Sequence, residues 1–211
     1  GHAMGVEAVR RTVRAALELG LRYLTIFSFS SENWSRPAGE IAELMGLMRR
    51  FIRRDLAELH DNGVRIHVIG ERDRVDRELL ELIADAIALT RRNSALDLVI
   101  AFNYGARAEI TKAARLLAER VKDGSLDPAA ITPEVFAATL DTHGLPDPDL
   151  VVRTSGELRL SNFLLWQSAY AELVFVDAFW PEFGRELLQQ AIDEFRRRNR
   201  RFGGVTARST G

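Results

Sequence analysis

The sequence predicts an α/β fold, a single domain with a central, mostly parallel sheet flanked by helices. Three observations predict it. Segments with a helical apolar period alternate with short apolar runs along the whole chain. No linker, repeat or low-complexity stretch divides the 211 residues. The unusual polar residues gather directly after the strand-like runs, where open parallel sheets bind their ligands.

Taken in order, Val6, Val9, Val13 and Leu17 share one helical face and Gly20 stands where that helix must stop. Leu21 to Phe29 is a nearly continuous apolar run, as in a strand buried on both sides. Ile41, Leu44, Met45, Met48, Ile52, Leu56 and Leu59 mark a longer amphipathic helix closed near Gly63, followed by a strand from Val64 to Ile69. Leu79, Leu82, Ile83, Ala86 and Ile87 predict a third helix, Leu96 to Phe102 a strand, and Ile110 to Val121 a helix ending before Gly124. Thr132-Pro133 reads as an N-cap followed by proline at the first helical position. Short strands follow at Leu150 to Thr154 and Leu173 to Val176, and a last helix over Leu187 to Phe195 leads into an arginine-rich tail.

Composition narrows the function. With 46% hydrophobic and 28% charged residues there is material for a core and no sign of disorder. Twenty-nine basic residues against 30 acidic ones give a formal charge of −1, so an anion site must be local, and nucleic acid is not an expected partner. The absence of cysteine excludes disulfides, thiolate metal ligands and a cysteine nucleophile. The start, Gly1-His2-Ala3-Met4-Gly5, is not a signal peptide, and the most apolar stretch, Phe163 to Trp180, is interrupted by Gln167, Glu172 and Asp177. The expectation is a soluble, cytoplasmic protein. His2, His60, His67 and His143 lack metal-ligand spacing, and there is no P-loop or Gly-x-Gly-x-x-Gly.

What remains is a polar rim: Ser30-Ser31-Glu32-Asn33-Trp34-Ser35-Arg36-Pro37 after the first strand, Asn103-Tyr104-Gly105-Ala106-Arg107 after the third, and Arg153 to Asn162 after the fourth. Arginine forks, hydroxyls and helix N-terminal amides suit a diphosphate. Ser161 is expected to cap a helix over Phe163-Leu164-Leu165-Trp166 and to place free N–H groups beside Arg159. The plainer alternative makes Ser161 only an N-cap and leaves Arg153 and Arg159 as surface charges. Likewise the Ser30–Trp34 segment is either part of a site or a polar loop around a half-buried tryptophan. Glu172, beside an apolar strand, needs a partner, which a metal or an arginine would supply.

Several motifs together carry a resemblance. Phe27-Ser28-Phe29-Ser30-Ser31-Glu32-Asn33-Trp34-Ser35-Arg36-Pro37, Asp149-Leu150-Val151-Val152-Arg153-Thr154-Ser155-Gly156-Glu157, Arg159-Leu160-Ser161-Asn162-Phe163-Leu164-Leu165-Trp166-Gln167 and Ala169-Tyr170-Ala171-Glu172-Leu173 closely resemble the cis-prenyltransferase (undecaprenyl diphosphate synthase) family. Gly1-His2-x-x-Gly5, Asn103-Tyr104-Gly105 and Arg200-Arg201-Phe202-Gly203-Gly204 fit as well, so the match runs over residues 1–211.

The resemblance implies an Mg²⁺-dependent enzyme that condenses isopentenyl diphosphate onto an allylic diphosphate such as farnesyl diphosphate. The product would be a polyprenyl diphosphate such as undecaprenyl diphosphate, for cell-wall lipid carriers. It implies that Arg153, Arg159, Leu160 and Ser161 hold isopentenyl diphosphate and that Ser30, Ser31, Glu32, Trp34 and Arg36 position the substrates. Asn33 would accept the proton or orient its route, His2 would lie near the allylic diphosphate, and Glu172 would attend the Mg²⁺. Arg201 and Gly203 match a tail that reaches the partner's site across a homodimer. Peripheral membrane contact would serve release of an apolar product.

The growing chain would need an apolar tunnel, for which Leu44-Met48-Ile52 and Leu79-Ile83-Ile87 are candidate walls, with core packing as their default role. Two departures stand out. The family carries an Asp-Gly-Asn-Gly-Arg-Trp motif ahead of Gly-His-x-x-Gly, with its principal catalytic and Mg²⁺-binding aspartate, and this sequence begins after it. A polypeptide of these residues alone is therefore expected to be nearly inactive. Leu158 stands where some members carry a polar residue. Two other readings compete: a non-catalytic partner of a heteromeric cis-prenyltransferase, and an α/β phosphate-binding enzyme of unrelated chemistry.

Overall fold

A computed structural model describes residues 2–198, with the side chains of residues 2 and 3 left out. Helix α1 (His2–Glu18) closes with Gly20 N–H on the Leu17 carbonyl (3.1 Å) and Leu21 N–H on that of Ala16 (2.9 Å), the paired bonds of a Schellman stop. Strand β1 (Tyr23–Ser30) runs into a short 3₁₀ turn (Ser31–Ser35) and then α2 (Ala38–Asp61). Strand β2 (Val64–Ile69), α3 (Arg77–Thr90), β3 (Leu96–Tyr104) and α4 (Ala106–Lys122) complete the first half. The second half holds the one-turn α5 (Pro133–Ala137), β4 (Leu150–Arg153), β5 (Glu172–Phe175) and α6 (Arg185–Arg197). Thr132 caps α5 as its sequence predicts, its Oγ1 accepting Val135 N–H at 3.3 Å with Pro133 in the first turn.

Every strand pair is parallel, and the strands divide between two sheets, β1–β3–β2 and β4–β5. The centre of the larger sheet is β3, buried at all nine positions, with Ile100 opposite Ile26 on one side and Val68 on the other. That corrects one expectation. Of the run predicted to be buried on both sides, Leu21 to Phe29, the part in strand β1 is buried only at Ile26 and Phe29, while Tyr23 is 40% exposed. Apolar continuity does not by itself guarantee burial on both faces.

The main core lies on one face of this sheet. Leu96, Leu98, Ile100 and Phe102 of β3 with Val64 and Ile66 of β2 meet Val13 and Ala16 of α1, Phe51 and Ile52 of α2, and Leu79, Ile83 and Ala86 of α3. Both helix faces singled out as tunnel walls belong to this cluster: Ile52, Leu79 and Ile83 inside it, Leu44, Met48 and Ile87 packed against it. A fork of two 2.8 Å bonds from Arg10 to the buried Asp55 ties α1 to α2.

On the opposite face a smaller cluster of Ile69, Val99, Ala101, Tyr104 and Ala106 is closed by Leu164, with Phe27 and Phe163 against it. Thus the loop after β4, distant in sequence, becomes the cover of the first sheet. Among the described residues no helix is long and apolar enough to cross a membrane.

Candidate active site

The polar rim assembles at the carboxyl ends of β1 and β3. β1 bulges between Phe27 and Ser30, which turns its end out of regular pairing and into the 3₁₀ turn. Inside that turn the Ser30 N–H donates to Asn33 Oδ1 (2.9 Å), the Ser31 hydroxyl to Glu32 Oε2 (3.2 Å) and the Ser35 hydroxyl to the Glu32 carbonyl (2.8 Å). Trp34 is fixed from three sides. Its ring meets Phe29 edge-on at 5.1 Å, its Nε1–H donates to Asn103 Oδ1 at 2.7 Å, and the Arg74 guanidinium lies 4.5 Å from the ring centroid. Arg36 turns back on Glu40 of α2 at 2.5 Å.

Asn103 was visible in the sequence only as one member of a motif. It is 3% exposed and left-handed (φ 51°), and its Nδ2 donates to the carbonyls of Glu71 (3.0 Å) and Asp73 (3.1 Å). One side chain therefore holds Trp34 against the turn between β2 and α3. The turn can come this close because Gly70 has φ 116° and no Cβ; a Cβ there would stand 2.0 Å from the Phe102 carbonyl oxygen. An asparagine at the end of an apolar strand run is the signal that could have found it, since Asn tolerates the left-handed region.

The loop after β4 differs from its expectation. Ser161 does not cap a helix, and residues 163–166 are not helical. Ser161, Asn162 and Leu164 have φ of 50°, 63° and 44°, incompatible with a right-handed helix. Tertiary contacts decide this. The Asn162 carbonyl accepts Ala106 N–H at 2.8 Å, Phe163 stacks on Phe27 at 4.7 Å, and Leu164 is 4% exposed. The free N–H groups expected beside Arg159 are not supplied by a helix here.

Arg153 ends β4, half-buried, its Nε buried without a protein partner. Arg159 is exposed and pairs with Glu157. The half-buried Leu160 offers its carbonyl to Phe163 N–H (3.2 Å), and Ser161 is exposed. This loop meets the first one: Asn162 Nδ2 donates to Glu32 Oε1 at 2.7 Å. Partial burial opposes ionisation of Glu32, but hydrogen bonds from Asn162, its own backbone, Ser30 and Ser31 outweigh it and hold the carboxyl below the ordinary glutamate range. The turn that carries Ser30 to Trp34 and the loop that carries Arg159 to Ser161 are thus joined at Glu32 and Asn162.

Glu172 opens β5, and the partner its position requires is an arginine: Arg198 Nη1 lies 3.0 Å from Glu172 Oε2 and also donates to the Leu173 carbonyl at 2.8 Å. Magnesium asks for near-octahedral oxygen coordination. Among the described residues no three His, Asp or Glu side chains gather to hold a metal ion, so these residues alone do not compose an Mg²⁺ site. His2 begins α1 but its side chain lies outside the described residues, as do Arg201 and Gly203.

A second polar cluster lies behind the rim. Glu109, 3% exposed, receives the Tyr104 hydroxyl, the Gln167 amide (3.2 and 3.3 Å) and Asp141 N–H (2.9 Å). Burial pushes its carboxyl above the ordinary range despite these donors, and burial also pushes the Tyr104 hydroxyl up. No feature of the local sequence marked Glu109, because its acceptors are used by residues 5 to 58 positions away.

Comparison with known proteins shows the family and the fold. The family described as "Putative undecaprenyl diphosphate synthase" matches residues 1–203. The chain is 61% identical to isoprenyl transferase 2 of Bradyrhizobium diazoefficiens, over 99% of its own length and 83% of that protein's. It is 57% identical to the isoprenyl transferase of Brucella suis biovar 1, over 100% and 83%. Lavandulyl diphosphate synthase from Lavandula x intermedia, in complex with dimethylallyl diphosphate, superposes with a TM-score of 0.92 at 35% identity, covering 96% of this chain and 88% of that one. The probable undecaprenyl diphosphate synthase of Campylobacter jejuni gives 0.83 at 34% identity, covering 96% and 93%. An α/β chain with parallel sheets, a rim of serines, amides and arginines, and these relatives belongs to the undecaprenyl diphosphate synthase family of isoprenyl transferases.

Proposed function

We propose that the protein condenses isopentenyl diphosphate onto an allylic diphosphate, farnesyl diphosphate being the expected starter, and releases a medium-chain polyprenyl diphosphate such as undecaprenyl diphosphate. The observation that carries this reading is the meeting of two loops at the carboxyl ends of β1 and β3, tied at Glu32 and Asn162. In this reading Arg153, Arg159 and Ser161 bind the isopentenyl diphosphate, with Leu160 shaping the loop that carries them. The buried, unpartnered Nε of Arg153 supports that role, because a buried donor of this kind is stabilised by an acceptor oxygen.

The chemistry breaks the allylic C–O bond, forms a C–C bond from the isopentenyl double bond, and ends with loss of a proton. The diphosphate that leaves is the allylic one, and donors at its site would stabilise the charge that develops on it, while Arg153 and Arg159 hold the isopentenyl diphosphate in place for attack. In this reading Trp34, held by Asn103 and Arg74, would fix the substrate against Ser30, Ser31 and Arg36. An amide is a weak base, and Asn33 Oδ1 is committed to the Ser30 N–H, so Asn33 orients through its Nδ2 rather than taking the proton itself.

His2 near the allylic diphosphate, a homodimer bridged by Arg201 and Gly203, an apolar tunnel, cytoplasmic residence with peripheral membrane contact, and a role in cell-wall carrier synthesis complete the proposal. Mg²⁺ dependence belongs to it too: the ion would neutralise diphosphate charge, and Glu172, paired here with Arg198, is the carboxylate that the family resemblance assigns to it.

The test is turnover of isopentenyl and farnesyl diphosphates by the full-length protein, with the product length read by chromatography. Turnover is expected to stop on chelation of Mg²⁺, and Arg159→Ala is expected to raise KM for isopentenyl diphosphate at least tenfold. Turnover unchanged by chelation would overturn the mechanism, and a full-length protein inert by itself but active with a second subunit would favour the partner-subunit reading.

A further inference from the structure

Asn162 joins three segments through one residue. Its carbonyl accepts Ala106 N–H (2.8 Å) and its Oδ1 accepts Arg107 N–H (2.8 Å), which closes the start of α4. Its Nδ2 donates to Glu32 Oε1 (2.7 Å) in the turn after β1. The amide orientation follows from chemistry: a backbone N–H can only donate and an ionised carboxylate can only accept, so one placement of O and N satisfies both. Gly105 makes the approach possible, since a Cβ there would stand 2.4 Å from Ser31 Oγ and 2.9 Å from Asn162 Nδ2.

We infer that Asn162 is a positioning residue that sets the spacing between the loop carrying Arg159 and Ser161 and the turn carrying Ser30 to Trp34, by donating to an ionised Glu32 while it caps α4. Its functional consequence rests on the diphosphate reading above. The alternative role is local: Asn162 serves only as the cap on α4, and Glu32 takes whatever donor is near. The two roles use different atoms of the same side chain, Nδ2 for the bridge and Oδ1 for the cap, so they can be separated.

Asn162→Asp keeps the acceptor for Arg107 N–H and the size of the side chain. It also places a second carboxylate against Glu32, and two ionised carboxylates at hydrogen-bond distance repel each other until a shared proton joins them. Glu32→Gln in the same chain restores a donor–acceptor pair with its polarity reversed. The experiment is a cycle of four full-length proteins: wild type, N162D, E32Q and E32Q/N162D. KM for isopentenyl diphosphate and thermal midpoint are measured for each from pH 5.5 to 8.5.

The expected result is that N162D raises KM at least tenfold at pH 8, with the penalty shrinking as the pH falls and the pair takes up a proton. In the E32Q background the same substitution changes KM by less than threefold, with no such pH dependence. The thermal midpoints should show the same coupling, which a cap-only role would not produce.

A KM for N162D within twofold of wild type at every pH, or a penalty equally large in the E32Q background, would overturn the inference. If wild type consumed no isopentenyl diphosphate, the proposed function would fail by itself, and the midpoints would still decide whether the bridge couples the two loops. Midpoints without coupling would then reject the bridge.

Discussion

Asn103 shows how one buried amide can hold a site together. Its side chain oxygen accepts from Trp34 and its nitrogen donates to two carbonyls of the turn before α3. Asn103→Ala leaves the Trp34 N–H and those carbonyls to find other partners at a left-handed position that favours Asn over Ala. The expected cost is about 3 kcal/mol, measured by urea unfolding, with loss of activity from a displaced Trp34. The polar rim could be located in the sequence at this scale, because serine, arginine and amide side chains cluster directly after apolar runs, while a polar loop of the same composition stayed an open alternative. Asn103 and Asn162 were less legible as individuals, since a left-handed asparagine becomes meaningful only when its distant partners are known.

At the level of elements, β2 and β3 carry a polar group on the face away from the main core. Asp97, 7% exposed, accepts from Arg65 (2.6 and 3.1 Å) and lies 2.7 Å from His67 Nε2. Burial opposes its ionisation, yet the bonds to Arg65 and His67 outweigh burial and hold the carboxyl below the ordinary aspartate range. A carboxyl lowered in the folded state contributes stability that is present above its unfolded pKa of about 4 and is lost as the pH falls through the folded value. Asp97→Asn should therefore cost about 1–2 kcal/mol at pH 7 and should flatten the acid limb of the thermal midpoint below about pH 4. An acid limb unchanged in the variant would show that Asp97 is not the group responsible. The helices and the central strand were legible in the sequence at this scale, because their apolar periods match what they bury. The predicted helix after Ser161 was not, because Phe163 and Leu164 face apolar partners on another sheet rather than a helical stripe of their own.

Across the whole molecule, the second half of the chain is fastened to the first by polar groups as much as by apolar ones. Glu109 on α4 accepts from Tyr104 at the end of β3, from Gln167 in the loop after β4 and from the backbone of Asp141. Glu109→Ala leaves the buried Tyr104 hydroxyl and the half-buried Asp141 N–H without their acceptor and takes one of two from the Gln167 amide, and is expected to lower stability by about 3 kcal/mol. Limited proteolysis should find the 157–168 loop cleaved faster in this variant than in wild type. Equal cleavage rates would mean that the Phe27–Phe163 stack, buried Leu164 and the Asn162 bonds suffice to hold the loop without Glu109.

By itself the sequence determined the alternation of helices and parallel strands, the position of the polar rim at the strand ends, and the family, because each rests on local period, local composition or contiguous motif. Only the tertiary structure decided that the described strands divide between two sheets, that β1 buries only part of its apolar run, that Glu172 is answered by Arg198, and that Asn162 bridges Glu32 to α4. These are choices among partners far apart in the chain. Their outcome depends on which buried polar and apolar groups can be satisfied together in three dimensions, and no window along the sequence contains both members of such a pair.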